Sequence, residues 1–150
     1  MNDPDLRQDL SGMHVLVVED EALLADVMAD ELEAFGIVPL GPCPSVASAM
    51  EAIRDSARLD GALLNVQLRG ELLFPIADEL RLRGIPFVFV TGNDPTVTQG
   101  YPDAPVHSKP AEIADVLASL AALIRERRER SAASPARATV SQNYSFDWNY

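Results

Sequence analysis

The sequence predicts an α/β fold, a doubly wound five-stranded parallel sheet with helices on both faces. Short apolar, β-branched runs alternate with segments of helical periodicity, and one of these runs is apolar without interruption. Polar residues follow several runs where they end. At 150 residues, of which 47% are hydrophobic, the chain is long enough for one domain with one substantial core.

The first unit begins with a strand at residues 14–18. After it, apolar residues recur at steps of three and four, which predicts one stripe of a helix: Leu23, Leu24, Val27, Met28, Leu32 and Phe35. Gly36 can end this helix in a left-handed conformation. We expect Leu23, Leu24 and Met28 to face the core rather than a partner, because helical stripes usually face inward.

The next two units follow the same pattern. A weaker strand at residues 37–40 leads to a helix that Ser45 opens as its N-cap. The third strand, residues 62–64, is the uninterrupted apolar run, and it stops at Asn65. A third helix is expected over residues 76–83.

The last part of the predicted domain is less regular. A fourth strand at residues 86–90 ends at Thr91. Glycine and proline residues between Thr91 and Lys109 leave little room for a stable helix, so the fourth helix should be short or absent. A short fifth strand at residues 106–108 precedes Pro110, which we expect to open a long final helix.

These elements divide the chain into an N-terminal extension (1–12), one domain (13–130) and a C-terminal tail (131–150). The tail carries aromatic residues at alternate positions: Tyr144, Phe146, Trp148 and Tyr150. One hypothesis is a disordered tail, since termini fray. The other is an arm that docks in a groove or adds to a sheet edge, because four freely exposed aromatics are uncommon.

Charge and composition exclude several classes of function. The formal net charge of -11 disfavours direct binding to nucleic acid. The single cysteine, Cys43, cannot form an internal disulfide, and two histidines without a cysteine cluster cannot build a structural zinc site. No apolar run is long enough for a membrane span, and the acidic N-terminus is unlike a secretory signal. We therefore expect a cytoplasmic protein.

Polar side chains collect where the predicted strands end, which is where ligands bind in open parallel sheets. They are Glu19, Asp20, Asn65, Thr91 and Lys109. Two adjacent carboxylates suit a hard divalent cation, and Mg²⁺ fits oxygen ligands better than Zn²⁺. A hydroxyl and an ammonium suit phosphoryl oxygens. Any one of these residues alone has an ordinary structural explanation, such as a helix cap or a solvated charge.

Residues 13–124 resemble a response-regulator receiver domain. The motifs that carry the resemblance are VLVVEDE, the strand end at Asn65, Thr91 and the Ser108-Lys109-Pro110 triplet. The resemblance implies a flavodoxin-like fold and two-component signalling. In such receivers an aspartate at the end of the third strand accepts a phosphoryl group from a histidine kinase.

The resemblance also implies a role for each matching residue. Glu19 and Asp20 would bind Mg²⁺, with help from the residue at the acceptor position and from the backbone carbonyl of Gln67. Thr91 would be the switch hydroxyl, and Lys109 the partner of the phosphoryl charge. The position three residues before that lysine is Val106, so a rotating aromatic ring cannot be the output device.

A second, narrower resemblance concerns the fourth strand. Residues 87–92 and the Pro-rich loop after them are similar to the FAT GUY subgroup of stand-alone receivers, although Val90 and Asn93 depart from its pattern. This similarity implies a partner kinase of the HWE type or a related one. We expect ordering of the loop at residues 93–105 to replace the ring rotation.

Asn65 is the main departure from the receiver pattern, because it occupies the position of the phospho-accepting aspartate. A neutral amide oxygen is a poor nucleophile toward phosphorus, and the lost charge should weaken Mg²⁺ binding. Either the chain is a natural pseudo-receiver, or it is an active receiver whose acceptor was replaced. The otherwise complete set of site residues favours the second interpretation.

The function expected from these residues is a single-domain response regulator that is not an enzyme. Its partners would be a histidine kinase, docked on the first helix and the strand-end loops, and a downstream protein. A homodimer through the last helix and strand is common in the family. One alternative is a pseudo-receiver that binds or sequesters a kinase without accepting phosphate. Another is a small Mg²⁺-dependent phosphatase, although Asn65 supplies no base and we expect His107 to be structural.

Overall fold

The computed structural model describes residues 4–68, 71–92 and 100–132. The elements in chain order are α1 (Pro4–Leu10), β1 (His14–Val18), α2 (Ala22–Ala34), β2 (Val38–Cys43), α3 (Val46–Asp55), β3 (Gly61–Asn65), β4 (Gln67–Leu68), β5 (Glu71–Leu72), α4 (Phe74–Leu82), β6 (Phe87–Thr91), β7 (Val106–Ser108) and α5 (Ile113–Ala132).

Five strands form one sheet in the order β2-β1-β3-β6-β7, and every neighbouring pair is parallel. This confirms the predicted α/β class and the five-stranded parallel sheet. Between β6 and β7, residues 100–105 form turns rather than a helix. Residues 93–99, where the rest of the expected loop falls, lie outside the described part. The short antiparallel pair of β4 and β5 was not predicted.

Two hydrophobic cores lie on opposite faces of the sheet. Along β1 the side chains alternate between them: Val15 and Val17 pack with α1, α2 and α5, whereas Leu16 and Val18 pack with α3 and α4. The period of two follows from strand geometry. Because both faces of the central strands are covered, these strands are apolar without interruption.

Two helix ends are determined by residues next to them in the sequence, as predicted. Ser45 caps α3: its Oγ accepts from the Ser48 backbone N–H at 3.1 Å, and the Ser48 Oγ accepts from the Ser45 N–H at 3.2 Å. Gly36, just after α2, has a φ of 81°, the left-handed conformation expected there.

The start of α5 corrects one prediction. Pro110 does not open this helix, which begins at Ile113. The carbonyl of Glu112 accepts the first backbone hydrogen bonds, from Asp115 at 3.1 Å and Val116 at 3.2 Å. The first helical hydrogen bonds are thus accepted by the Glu112 carbonyl, and the helix begins three residues after Pro110.

The expected core position of Leu23 is wrong. Leu23 is 81% exposed and Val27 is 51% exposed, while Leu24 is half-buried against the core. The buried side of α2 consists of Ala25, Met28 and Leu32, spaced three and four residues apart. Since the small Ala25 takes an inward position in the first turns, Leu23 is rotated to the outer side.

An unpredicted helix, α1, covers one end of the first core. Leu6 and Leu10, four residues apart, are buried in that core together with residues of α5. Asp9 forms an ion pair with Arg125 of α5, and the Arg7 guanidinium lies 5.7 Å from the centre of the Phe35 ring. None of the described helices is both long and apolar enough to cross a membrane.

Candidate functional site

The candidate site lies at the carboxyl ends of the central strands. β1 and β3 run in parallel register up to the pair Val18 and Leu64. The next residue on each strand is polar, Glu19 on one and Asn65 on the other. The topological switch point of the sheet lies between these two strands, because the chain continues from β1 to β2 on one side and from β3 to β6 on the other.

Asn65 contacts both residues of the acid pair. Its Nδ2 is 3.1 Å from Glu19 Oε2 and 3.4 Å from Asp20 Oδ1. Glu19 is only 2% exposed and Asn65 only 8%. In this buried position the amide offers its N–H donors to both carboxylates.

Lys109 contacts the other oxygen of Glu19. Its Nζ lies 3.1 Å from Glu19 Oε1 and 3.6 Å from Glu21 Oε1. The backbone N–H of Glu21 donates to Glu19 Oε2 at 3.1 Å. Both oxygens of the buried Glu19 carboxylate are therefore hydrogen-bonded, as a buried charge requires.

Glu21 is a site contact that the sequence does not predict. It is the third acidic residue of the run Glu19-Asp20-Glu21, and the resemblance to receivers implies a role for the first two only. Its largely exposed side chain approaches Lys109 from the solvent side. The run of three acids was the available signal, but consecutive residues do not by themselves show which ones face the strand ends.

Thr91 and Lys109 are brought together by the last two strands. Thr91 ends β6 beside Ser108 of β7, and its carbonyl accepts a hydrogen bond from the Lys109 backbone N–H at 2.8 Å. Thr91 is fully buried. The pairing of β6 with β7 thus fixes the strand-end residue and the lysine next to each other.

In the described part of the chain, carboxylates outnumber amines at this rim. Among the described residues, the Lys109 ammonium contacts Glu19 and Glu21, and Asp20 adds a third carboxylate through its contact with Asn65. The excess of negative charge and the oxygen ligands are of the type that a hard cation such as Mg²⁺ takes. As oriented, however, Asn65 presents its Nδ2 to the acids, and an amide must turn to offer its oxygen to a cation.

The remaining predicted ligand, Gln67, lies in β4, and the histidine near Lys109, His107, lies in β7. Gln67 lies two residues after β3, in β4, and pairs with Leu72. Within the described residues, no group of three or more histidine, cysteine, aspartate or glutamate residues is arranged to hold a metal. His107 Nε2 lies 2.8 Å from Ser119 Oγ, which connects β7 to α5 and is consistent with the structural role expected for it.

Several solved structures similar to this chain are response regulators or their receiver domains. The solution structure of SdrG from Sphingomonas melonis Fr1 is 40% identical, with a TM-score of 0.63, and the match covers 75% of this chain and 97% of that one. A response regulator receiver protein from Sinorhizobium medicae WSM419 is 22% identical, with a TM-score of 0.71 and coverages of 77% and 97%.

The response regulator PhyR from Brucella abortus is 19% identical, with a TM-score of 0.74, and the match covers 89% of this chain and 56% of PhyR. No protein-family model and no curated protein matches the chain. The similarities under 25% identity show the fold, and the similarity to SdrG shows the family. This chain therefore belongs to the receiver-domain response regulators of two-component signalling.

Proposed function

We propose that Asn65 occupies the phospho-acceptor position of this receiver and prevents phosphorylation there, and that the domain signals by protein contact. The observation that carries the proposal is the pair of hydrogen bonds from Asn65 Nδ2 to Glu19 and Asp20. A carboxylate at the same place would bring a third negative charge to the buried acid pair.

The chemistry of phosphoryl transfer supports this assignment. An aspartate oxygen attacks phosphorus while the phosphorus–nitrogen bond to the kinase histidine breaks, and the histidine nitrogen keeps the electron pair and takes up a proton. The carboxamide oxygen of Asn65 is neutral and a weak nucleophile, so the new phosphorus–oxygen bond does not form.

Receiver domains generally bind Mg²⁺, which neutralises charge on the phosphoryl group during transfer. In this chain Glu19, Asp20, the backbone carbonyl of Gln67 and a turned Asn65 amide would hold it. Each unit-charge pair at about 4 Å contributes roughly 4 kcal/mol at an effective dielectric constant near 20, before desolvation. The amide at position 65 therefore makes the cation bind more weakly.

Thr91 and Lys109 are the residues we assign to the phosphoryl oxygens when position 65 is an aspartate. The ammonium of Lys109 already contacts Glu19, so it lies at the acid pair rather than in solvent. Beside it, the strand end at Thr91 is buried. A hydroxyl and an ammonium there supply a donor and a positive charge.

Receiver domains interact with histidine kinases or other signalling partners. We assign this chain a kinase of the HWE type or a related one, on the similarity of residues 87–92 to the FAT GUY subgroup. The exposed Leu23 and Val27 are four residues apart, so they lie on one side of α2. Leu23 follows the acid pair closely in the sequence. We assign the apolar surface of Leu23 and Val27 to the contact with the kinase.

The experiment compares the native chain with Asn65→Asp by backbone NMR, before and after addition of Mg²⁺ and beryllofluoride. We expect the variant to show chemical-shift changes at Asp20, Thr91 and Lys109, and the native chain to show much smaller changes at the same residues. Gln8→Glu, an exposed amide-to-carboxylate change on α1, is the matched control. Equal responses of the native chain and Asn65→Asp would contradict the proposal.

Transfer of labelled phosphate from a histidine kinase distinguishes the remaining functions. Label on Asn65→Asp and none on the native chain supports a receiver that is disabled at position 65. Label on the native chain contradicts the proposal. Turnover of a phosphoester by the native chain would instead identify an enzyme, whereas receiver-domain response regulators are generally non-enzymatic signalling proteins.

A further inference from the structure

A cavity of about 240 Å³ lies at the opposite edge of the sheet from Asn65. It opens where β6 begins, at Phe87, whereas the candidate site lies where β6 ends. Its walls come from the end of α4, from residues 101–104 before β7, and from the last turns of α5. The cavity is therefore independent of the acid pair and of the function proposed for it.

The cavity has an aromatic wall. Tyr101 packs edge-on against Phe87, with ring centroids 6.1 Å apart, and stacks on Phe74 at 5.4 Å. The guanidinium of Arg81 lies 5.2 Å from the centre of the Tyr101 ring. Such a surface favours a further flat aromatic side chain, which can contact both rings and guanidinium groups.

The charge of the cavity is opposite to that of the chain. Three arginines, Arg81, Arg127 and Arg130, line it together with one acid, Asp103, in a chain of net charge -11. Arg127 and Arg130 are exposed, and neither forms an ion pair with another described residue. An aromatic group next to a carboxylate fits these walls.

We propose that this cavity holds the aromatic C-terminal segment of the same chain, residues 144–150, with the indole of Trp148 seated among the arginines. Arg130 lines the cavity and α5 ends two residues later, at Ala132, so the segment leaves from the rim of the cavity. Asp147 stands next to Trp148 and supplies the carboxylate.

Size and reach agree with this occupant. Pockets for drug-sized ligands occupy about 300–1,000 Å³, so a cavity of about 240 Å³ accepts one bulky side chain rather than a nucleotide or a helix. The 16 residues from Ala132 to Trp148 can span up to about 50 Å. A tether of this length gives an effective concentration on the order of millimolar, which favours the chain's own segment over a free peptide.

Trp148 is the chain's single tryptophan, so its fluorescence reports on the proposal directly. In the native chain we expect blue-shifted emission and several-fold weaker quenching by acrylamide than in Arg127→Glu. Arg128→Glu is the matched control. Arg128 is the next residue on α5, it contacts Met13 Sδ at 3.7 Å, and it does not line this cavity. It should retain the native emission.

A second variant keeps the test decisive if Arg127→Glu does not fold. Ala104→Leu adds volume inside the cavity, and circular dichroism checks the fold of both variants. Water-like emission in the native chain, unchanged in either variant, would overturn the proposal. Blue-shifted emission that appears only at concentrations where light scattering gives a dimer mass would overturn it too, because the occupant would then be a segment from a second copy.

Discussion

Asn65 Nδ2 donates a hydrogen bond to Glu19 Oε2 over 3.1 Å, between the ends of two adjacent parallel strands. The Lys109 ammonium approaches the other oxygen of the same carboxylate at the same distance. The buried Glu19 charge is thus held between an amide and an amine. The stability of this rim should therefore depend on the charge at position 65.

Asn65→Asp should make stability depend on Mg²⁺. Without the ion, the new carboxylate faces Glu19 and Asp20 in a buried position, and we expect a loss of about 2 kcal/mol or more. Millimolar Mg²⁺ should restore most of it, because the ion binds the folded state only. Urea unfolding with Mg²⁺ or with a chelator measures both values. The exposed change Gln8→Glu should show no dependence on Mg²⁺, and a variant as stable as the native chain in chelator would contradict the prediction.

Lys109→Met should destabilise the fold even though Lys109 is partly exposed. Removing the ammonium leaves Glu19, 2% exposed, without its charge partner. Breaking a fully buried pair costs about 3–5 kcal/mol, and we expect about 1–3 kcal/mol here because the lysine side chain is 22% exposed. Lys109→Arg should recover part of the loss. The measurement is thermal unfolding of both variants, with the exposed Arg54→Met as control. An unchanged Tm in Lys109→Met would contradict the prediction.

Tyr101 should lose its phenol proton only at an unusually high pH. Burial of the phenol, and then its hydrogen bond to Asp78 Oδ1 at 2.5 Å and the charge of that carboxylate, raise its pKa from 10.0 to about 12, against the opposing charge of Arg81. A raised pKa in the folded state means that the neutral phenol stabilises the fold. This stabilisation is complete below pH 10 and is lost as the pH rises from 10 to 12.

Absorbance of tyrosinate during a pH titration measures this pKa. The same titration of Tyr101→Phe gives the contribution of the other tyrosines, which is subtracted. Asp78→Asn should bring the pKa of Tyr101 back toward its usual value, because it removes the negative charge. The exposed change Asp55→Asn should leave it unchanged. A Tyr101 that titrates near pH 10 in the native chain would contradict the structure at this contact.

Two leucines should respond differently to truncation. Leu23→Ala should change the free energy of unfolding by no more than about 0.5 kcal/mol, because Leu23 is almost fully exposed. Leu10→Ala, in the helix α1, should cost about 2–5 kcal/mol, since Leu10 is completely buried. Urea unfolding separates the two, and similar losses would show that α2 or α1 packs differently. On the proposed function, Leu23→Ala should also weaken kinase binding.

The sequence predicted the order of the central elements because its signals are local. The strands β1, β3 and β6 appear as short apolar runs. Ser45 caps α3 through its own neighbour Ser48, and Gly36 has the positive φ expected at the end of α2. The acidic residues after β1, Asn65 after β3 and Thr91 at the end of β6 were also visible, because each directly ends an apolar run.

Only the tertiary structure decided which partners these residues meet. Leu6 and Leu10 are too few to predict a stable helix, and α1 is held by its packing on α5. Leu23 satisfies the periodicity of the core stripe, yet the fold turns it outward because Ala25 and Met28 fill the inner side. The hydrogen bonds from Asn65 to Glu19 and from Lys109 to Glu19 join residues 46 and 90 positions apart. No local pattern specifies such contacts, since they depend on how the parallel strands align.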